Sequence, residues 1–312
     1  MKRYLLCMSA LTAIGCGNWS NKDLEFLNAL PVSSDLTSKL PGAESSSQGL
    51  SSTGGQRRDP LMSGEASRLY ADTKKASSDF NGILSSMLST LEFVRNIPPT
   101  RRESDVRVWG PYPDSQHPGF DFQIVVSRVD AENFTWAMQS RKRGDNFFDA
   151  ANGNFKANTG IRRGQGAFAI HLKEIRAHFP LPGIPTELEE IEVGYITDIF
   201  PLRVDMHFVF AQGKPTSLSE IGYVYFEKED HSGAMHFQVR TSAPEARLVE
   251  TSSVWATNGA GRASTQIVEG TFKGASEQQC WNEGFNVVWG KQTWLGGMEV
   301  GNSADCVVVS GF

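Results

Sequence analysis

The sequence predicts a mainly β protein with one long N-terminal helix, in which an up-and-down antiparallel sheet of about 10–12 strands curves, or forms an open barrel, beneath the helix. Three observations predict this α+β architecture. Apolar residues recur at helical spacing over many turns only within residues 59–99. The chain beyond residue 100 instead alternates between apolar and polar residues, and turn-forming residues separate the alternating stretches at short intervals.

The first fifteen residues have the composition of a secretory signal peptide. Lys2 and Arg3 precede an apolar run from Tyr4 to Ile14. A run of about eleven apolar residues is too short to span a bilayer and suits the hydrophobic region of a signal. We therefore expect residues 1–15 to be removed.

The signal ends in Ala13-Ile14-Gly15-Cys16, which resembles the lipobox of bacterial lipoproteins. The resemblance implies that Cys16 is acylated and becomes the first residue of the mature chain. Gly17, in place of Asp, implies transport to the outer membrane by the sorting rule of enteric bacteria. An ordinary signal peptide followed by a structural cysteine is the alternative.

Residues 16–58 are predicted to be a flexible tether. They show no sustained periodicity and contain Ser45-Ser46-Ser47 and Gly54-Gly55, a composition typical of linkers.

The predicted helix occupies residues 59–99. Asp59 suits its N-cap, Pro60 suits its first turn, and Pro98-Pro99 ends it. Asn81-Gly82 is a weak point where a kink or break costs little. The apolar stripe of this helix contains Leu69, Thr73, Ala76, Phe80, Ile83, Leu84, Met87, Leu88, Leu91 and Val94.

Residues 100–312 are predicted to form the antiparallel β domain, packed with the helix as one unit. Alternation is clear at residues 120–126, 134–138, 168–172, 202–210 and 235–239. One face of these strands is apolar and the other is polar, which is typical of antiparallel sheets that have one buried and one solvent-exposed face. A short helix is expected near residues 173–178, before Pro180.

A wide sheet with large side chains on one face needs curvature or a cover. A helix on a strongly curved antiparallel sheet resembles, in architecture, the open barrels of bacterial lipoprotein carriers and lipid-binding envelope proteins. The helix leading into Trp109-Gly110-Pro111 also resembles uncharacterised envelope lipoproteins. The carrier resemblance implies an apolar cleft between helix and sheet.

The cysteines predict one disulfide. Cys7 leaves with the signal and Cys16 is acylated, so Cys280 and Cys306 remain, and in an oxidising envelope they pair. Four aromatic residues lie between them: Trp281, Phe285, Trp289 and Trp294. These residues fill a small satellite core or, if partly exposed, form a contact patch for a sugar or a partner protein.

Charge and motifs exclude several functions. Loss of Lys2 and Arg3 changes the formal net charge from −5 to −7, which argues against nucleic-acid binding by bulk charge. The sequence offers no recognisable catalytic or metal-binding constellation, so we expect no cofactor and no enzyme activity. The sequence has three basic clusters, Arg101-Arg102, Arg141-Lys142-Arg143 and Arg162-Arg163. They are either solvated turns or, if gathered on one rim, a contact for anionic lipid headgroups or polysaccharide.

The sequence therefore predicts a binding or scaffold protein, held on the bacterial outer membrane by a lipid on Cys16, that encloses an apolar ligand. The alternative is an interaction protein with a filled core that binds envelope proteins through its surface. A hydrolase with an unrecognised site is a distant third. A cavity of several hundred Å³ between helix and sheet would favour the carrier, and a packed interior the interaction protein.

Overall fold

The computed structural model describes residues 20–42, 61–211, 222–241, 247–294 and 296–311. Within these ranges the helices are α1 (Asn21–Asn28), α2 (Ser33–Leu36), α3 (Arg68–Val94) and α4 (Leu172–His178), with a 3₁₀ turn at Ser303–Asp305. The predicted signal peptide and Cys16 lie outside the described residues.

One antiparallel sheet contains every strand of the described residues, and each strand pairs with the next in sequence. The strands are β1 (Arg101–Arg102), β2 (Val106–Pro113), β3 (Phe120–Arg128), β4 (Asn133–Lys142), β5 (Phe148–Ala157), β6 (Gly164–Ile170), β7 (Leu188–Ile196), β8 (Leu202–Phe210), β9 (Gly222–Glu227), β10 (Gly233–Thr241), β11 (Arg247–Trp255), β12 (Gly261–Gly270), β13 (Ser276–Trp281), β14 (Val287–Gln292) and β15 (Met298–Gly301). The predicted up-and-down order is confirmed, and the sheet does not close. The predicted number of strands is too low, because short strands such as β1 and β15 carry little periodicity.

Helix α3 lies in the concave side of the sheet. Its N-terminal end reaches β13, where the Ser67 hydroxyl donates to Gln279 Oε1 at 2.7 Å. Just beyond its C-terminal end, the Ile97 carbonyl accepts a hydrogen bond from the Trp109 indole of β2. Twelve strands at about 4.8 Å spacing span about 53 Å when flat, whereas 27 residues of helix span about 40 Å. The helix is therefore shorter than the flat width of the strands that it reaches, as it would be inside a curved sheet.

The predicted apolar stripe is confirmed, with Ile83 and Met87 as its partly buried members. The predicted helix bounds are too wide. Ser67 caps α3, because its side chain accepts from the Tyr70 N–H. Residues 61–67 instead run beside β14, with the Gly64 N–H bonded to the Val287 carbonyl at 2.8 Å. The helix is also unbroken at Asn81-Gly82.

The predicted tether is wrong for residues 20–42, and its remaining residues lie outside the described ranges. We call residues 20–42 the N-terminal segment. It contains α1 and α2, so the long helix is not the first element of the chain. The segment buries five large apolar side chains in the main core: Phe26, Leu27, Leu30, Leu36 and Leu40. Burial of this much apolar surface explains why the segment is ordered despite its polar composition.

Ion pairs fasten the N-terminal segment to the sheet at three points along its length. Asp23, which is fully buried, meets Arg107 of β2 at 2.7 Å. Asp35 meets Arg162 in the β5–β6 turn at 2.6 Å. Lys39 meets Glu227 at the end of β9 at 3.0 Å. The segment therefore extends along one end of the curved sheet from β2 to β9.

Candidate interaction surface

The space between α3 and the sheet is the first place to look for a ligand. Among the described residues, the gap that Met87, Leu88 and Leu91 form with β4, β5 and β6 encloses no room for a water-sized sphere. A second gap, between the N-terminal segment and β7, encloses about 10 Å³. A fatty-acyl chain needs far more space than either gap offers. The side chains around these two gaps are packed, and the buried apolar ones among them belong to one cluster that joins the helices to the sheet.

Polar side chains under the N-terminal half of α3 were not predicted from the sequence. Glu277 of β13 is fully buried and meets Arg68 Nη2 at 2.9 Å. The Thr73 hydroxyl lies 2.5 Å from that of Ser253 on β11. Because these groups are paired with one another, they join the helix to the sheet, as buried polar groups must.

The four aromatic residues of the C-terminal block do not form one patch. Trp281 is 1% exposed and belongs to the main core, so its prediction as a contact residue is wrong. Phe285 stacks on Tyr70 with ring centroids 4.1 Å apart. Trp289 is partly buried beside the β15 strand, where its indole donates to Glu299 Oε1 at 3.0 Å. Trp294 lies in the β14–β15 turn.

Cys280 and Cys306 form the predicted disulfide, with their Cα atoms 5.4 Å apart. The bond ties the C-terminal residues to β13. Cys280 pairs in register with Trp289 of β14. The disulfide and Trp289 therefore lie together, but the four aromatic residues do not form the predicted satellite core, because Trp281 lies in the main core and Phe285 packs against it.

The basic clusters divide between the two ends of the strands. Arg102 and Arg162 lie at the end occupied by the N-terminal segment and bond to Asp23 and Asp35. Arg143 lies at the other end, where it bonds to Asp121 at 2.9 Å. The three clusters therefore do not gather on one surface. One arginine of each cluster forms an ion pair with a carboxylate of the same chain.

The end of the sheet that carries the N-terminal segment has exposed apolar side chains at its turns. We call this end, formed by the β3–β4, β5–β6, β7–β8, β9–β10, β11–β12 and β13–β14 turns, the N-terminal rim. In the β5–β6 turn Ile161 is 71% exposed, and in the β7–β8 turn Ile199 and Phe200 are 60% and 44% exposed. Val129 of the β3–β4 turn and Leu24 of α1 are also exposed. A cluster of exposed apolar residues indicates a contact site, whereas residues that are exposed singly do not.

Hydrogen bonds hold the β5–β6 and β7–β8 turns together. Asn158 Nδ2 donates to Asp198 Oδ2 at 2.9 Å. Arg163 Nη1 donates to the Thr197 carbonyl at 3.0 Å, and the Thr197 hydroxyl donates to the Arg162 carbonyl at 3.1 Å. We call this pair of turns, with its exposed Ile161, Ile199 and Phe200, the apolar tip. The bonds join the two turns that carry these side chains.

A buried carboxylate fastens the segment farther along the same rim. Glu227 accepts from Lys39 Nζ, from the Tyr225 hydroxyl and from the His231 ring. Burial alone raises the pKa of Glu227, but the bonds from His231, Lys39 and Tyr225 outweigh it and hold the pKa below its usual value. Burial raises the pKa of Tyr225. Glu227 therefore stays ionised and acts as an anchor for Lys39.

Other classes of site find no support in the described ranges. No three His, Cys, Asp or Glu side chains there converge as metal ligands. None of the helices in those ranges combines the length and apolar character needed to cross a membrane. Comparison of the chain with profiles of protein families, with curated proteins and with solved structures gives no match.

Proposed function

We propose that this protein is a lipid-anchored protein of the bacterial outer membrane that acts through its surface and holds no ligand inside. The observation that carries the proposal is the packed interior. Leu84, Leu88 and Leu91 of α3 are at most 2% exposed. The gap beside Leu88 and Leu91, where the carrier resemblance implies an apolar cleft, has no room for a ligand.

A carrier would need the helix to move away from the sheet. The N-terminal segment opposes this movement, since it bonds both to α3 and to β9. Ser38 lies against Asn81 and Ser77 of the helix, while the next residue, Lys39, bonds to Glu227 of the sheet. Opening the interior would break these bonds and expose the buried apolar residues of the segment. The contacts therefore favour a surface role over a carrier role.

The anchor is supported by the sequence and by the short length of chain between Cys16 and α1. Cys16 completes the lipobox-like Ala13-Ile14-Gly15-Cys16. Helix α1 begins at Asn21, and the Ser20 side chain caps it. Acylation at Cys16 would place the domain close to the bilayer.

Metabolic labelling with a fatty acid tests the anchor. We expect the parent to incorporate the label, Cys16→Ala to lose it, and Cys7→Ala, the matched control within the signal, to keep it. Label on Cys16→Ala equal to that of the parent would refute the lipid anchor.

Native mass spectrometry of the protein released in detergent tests the filled core. We expect the mass of the acylated chain with no additional bound molecule. A stoichiometric lipid or other apolar ligand that survives dilution of the detergent would favour the carrier.

A further inference from the structure

We infer that the N-terminal rim lies against the bilayer and that its apolar tip, Ile161, Ile199 and Phe200, enters the lipid headgroup region. The inference rests on the proposed lipid anchor and adds an orientation to it. The occupant of this exposed surface is therefore lipid.

The length of chain between the anchor and the domain supports this orientation. Four peptide units join Cys16 to Ser20, and four steps of 3.8 Å between Cα atoms reach about 15 Å at most. Ser20 precedes α1, and α1 lies at the N-terminal rim because Asp23 bonds to Arg102 and Arg107 there. An acylated Cys16 therefore keeps this rim, and not the opposite one, near the membrane.

The apolar tip suits an interface between water and lipid. Its three side chains are 71%, 60% and 44% exposed, and each is large and uncharged. Because hydrogen bonds already hold the two turns together, insertion requires little further ordering. Transfer of such side chains out of water is favourable in proportion to the apolar area removed.

The charges beside the tip are already engaged within the protein. Arg162 bonds to Asp35, and Asp198 accepts a hydrogen bond from Asn158. The β3–β4 turn is different, since its exposed Val129 is followed by Asp130 and Glu132, both exposed. Asp130 accepts hydrogen bonds from the Glu132 and Asn133 backbone, which favour its charged form. Two exposed carboxylates oppose entry into anionic lipid, so we place the inserted point at the β5–β6 and β7–β8 turns.

The test uses the acylated full chain in vesicles of phosphatidylethanolamine and phosphatidylglycerol. Single variants Ile161→Cys and Phe200→Cys carry a polarity-sensitive fluorophore. The matched control is Phe272→Cys, which replaces a 61% exposed apolar residue in the β12–β13 turn of the opposite rim. Each labelled variant must show the melting temperature of the unlabelled parent.

We expect a blue shift at positions 161 and 200 and loss of their fluorescence when brominated lipids replace ordinary ones. Position 272 should show neither change. Equal signals at the three positions would overturn the orientation. A blue shift without quenching by brominated lipid would also overturn it, because protein and not lipid would then cover the tip.

Failure of the anchor gives a different result. In that case the protein does not float with the vesicles at all, and the unmodified parent shows this without any fluorophore. A protein that floats with the vesicles but shows no quenching at its rim has the anchor and lacks the proposed orientation.

Discussion

Asn81 and Ser38 pair through three hydrogen bonds, two of which involve the backbone of Ser38. The Ser38 backbone N–H donates to Asn81 Oδ1 at 2.7 Å, and Asn81 Nδ2 donates to the Ser38 carbonyl at 2.9 Å. The amide of Asn81 thus satisfies both backbone groups of Ser38, much as a neighbouring strand would. The middle of α3 is thereby joined to the N-terminal segment, at the position where the sequence suggested a break.

Asn81→Ala should destabilise the protein by about 1–3 kcal/mol, because it leaves the partly buried N–H and carbonyl of Ser38 without these partners. Urea unfolding measures the change. Asn96→Ala is the matched control: Asn96 is exposed, and its side chain makes one long contact, 3.4 Å, with the Glu92 carbonyl. Equal effects of the two substitutions would mean that the segment contributes nothing through Asn81.

Leu84→Ala should lower the free energy of unfolding by about 2–5 kcal/mol. The Leu84 side chain of α3 is fully buried against the sheet, so its truncation leaves a cavity. Ser85→Ala, one residue along on the exposed face, should change the stability by less than about 0.5 kcal/mol. Thermal melts compare the two. A Leu84→Ala variant that melts with the parent would contradict the packing of the helix on the sheet.

The protein should lose stability in acid, because acid protonates the buried carboxylate of Asp23. Burial by itself raises the pKa of Asp23, but bonds from the Ser20 backbone, Arg107 and Arg102 outweigh it and lower the pKa from its ordinary value of 3.8. Since the folded pKa is lowered, the contribution of ionised Asp23 is complete above the ordinary value. It is lost as the pH falls below 3.8 and through the folded pKa.

Asp23→Asn should therefore be less stable than the parent at pH 7 by about 3–5 kcal/mol, since it leaves Arg107 without its buried partner. The difference should shrink as the pH falls from about 4 to about 2. Urea unfolding across this range measures it. Asp145→Asn, at an exposed carboxylate in the β4–β5 turn, is the control. If the parent and Asp23→Asn differed in free energy of unfolding by the same amount at every pH, the role of this ion pair would be contradicted.

Cys306→Ser should lower the free energy of unfolding by about 3.5 kcal/mol through loop closure, because the disulfide joins residues 26 apart in sequence. Urea unfolding with and without reductant tests this. Reductant should weaken the parent and leave Cys306→Ser unchanged. A free thiol in the denatured, unreduced parent would show that the bond does not form.

The sequence predicted those parts of the fold that have a long, regular pattern. The stripe on α3 covers many turns, and the large alternating residues of strands such as β8 lie on one face, so both were visible without a structure. The order of the strands followed from the short turns between them. The disulfide followed from elimination among four cysteines.

The N-terminal segment was missed because its helices are short and lie in a region of polar composition. A local signal was present: Ser20 and Asp23 form a capping box, since each side chain accepts the other's backbone N–H, just before Leu24-Glu25-Phe26-Leu27. The role of Glu277 could not be predicted, because a charged residue in an alternating strand normally faces water. Its buried position depends on Arg68, 209 residues earlier.

The bond between Lys39 and Glu227 joins residues 188 apart in sequence. A ribosome completes the N-terminal segment long before it adds β9. Each hairpin of the sheet pairs neighbours in the chain and can form as soon as it is made, but the end of the segment that carries Lys39 waits for most of the sheet. The start of the segment need not wait, since Asp23 meets Arg107 of β2. The two ends of one short segment therefore find their partners at different stages of synthesis.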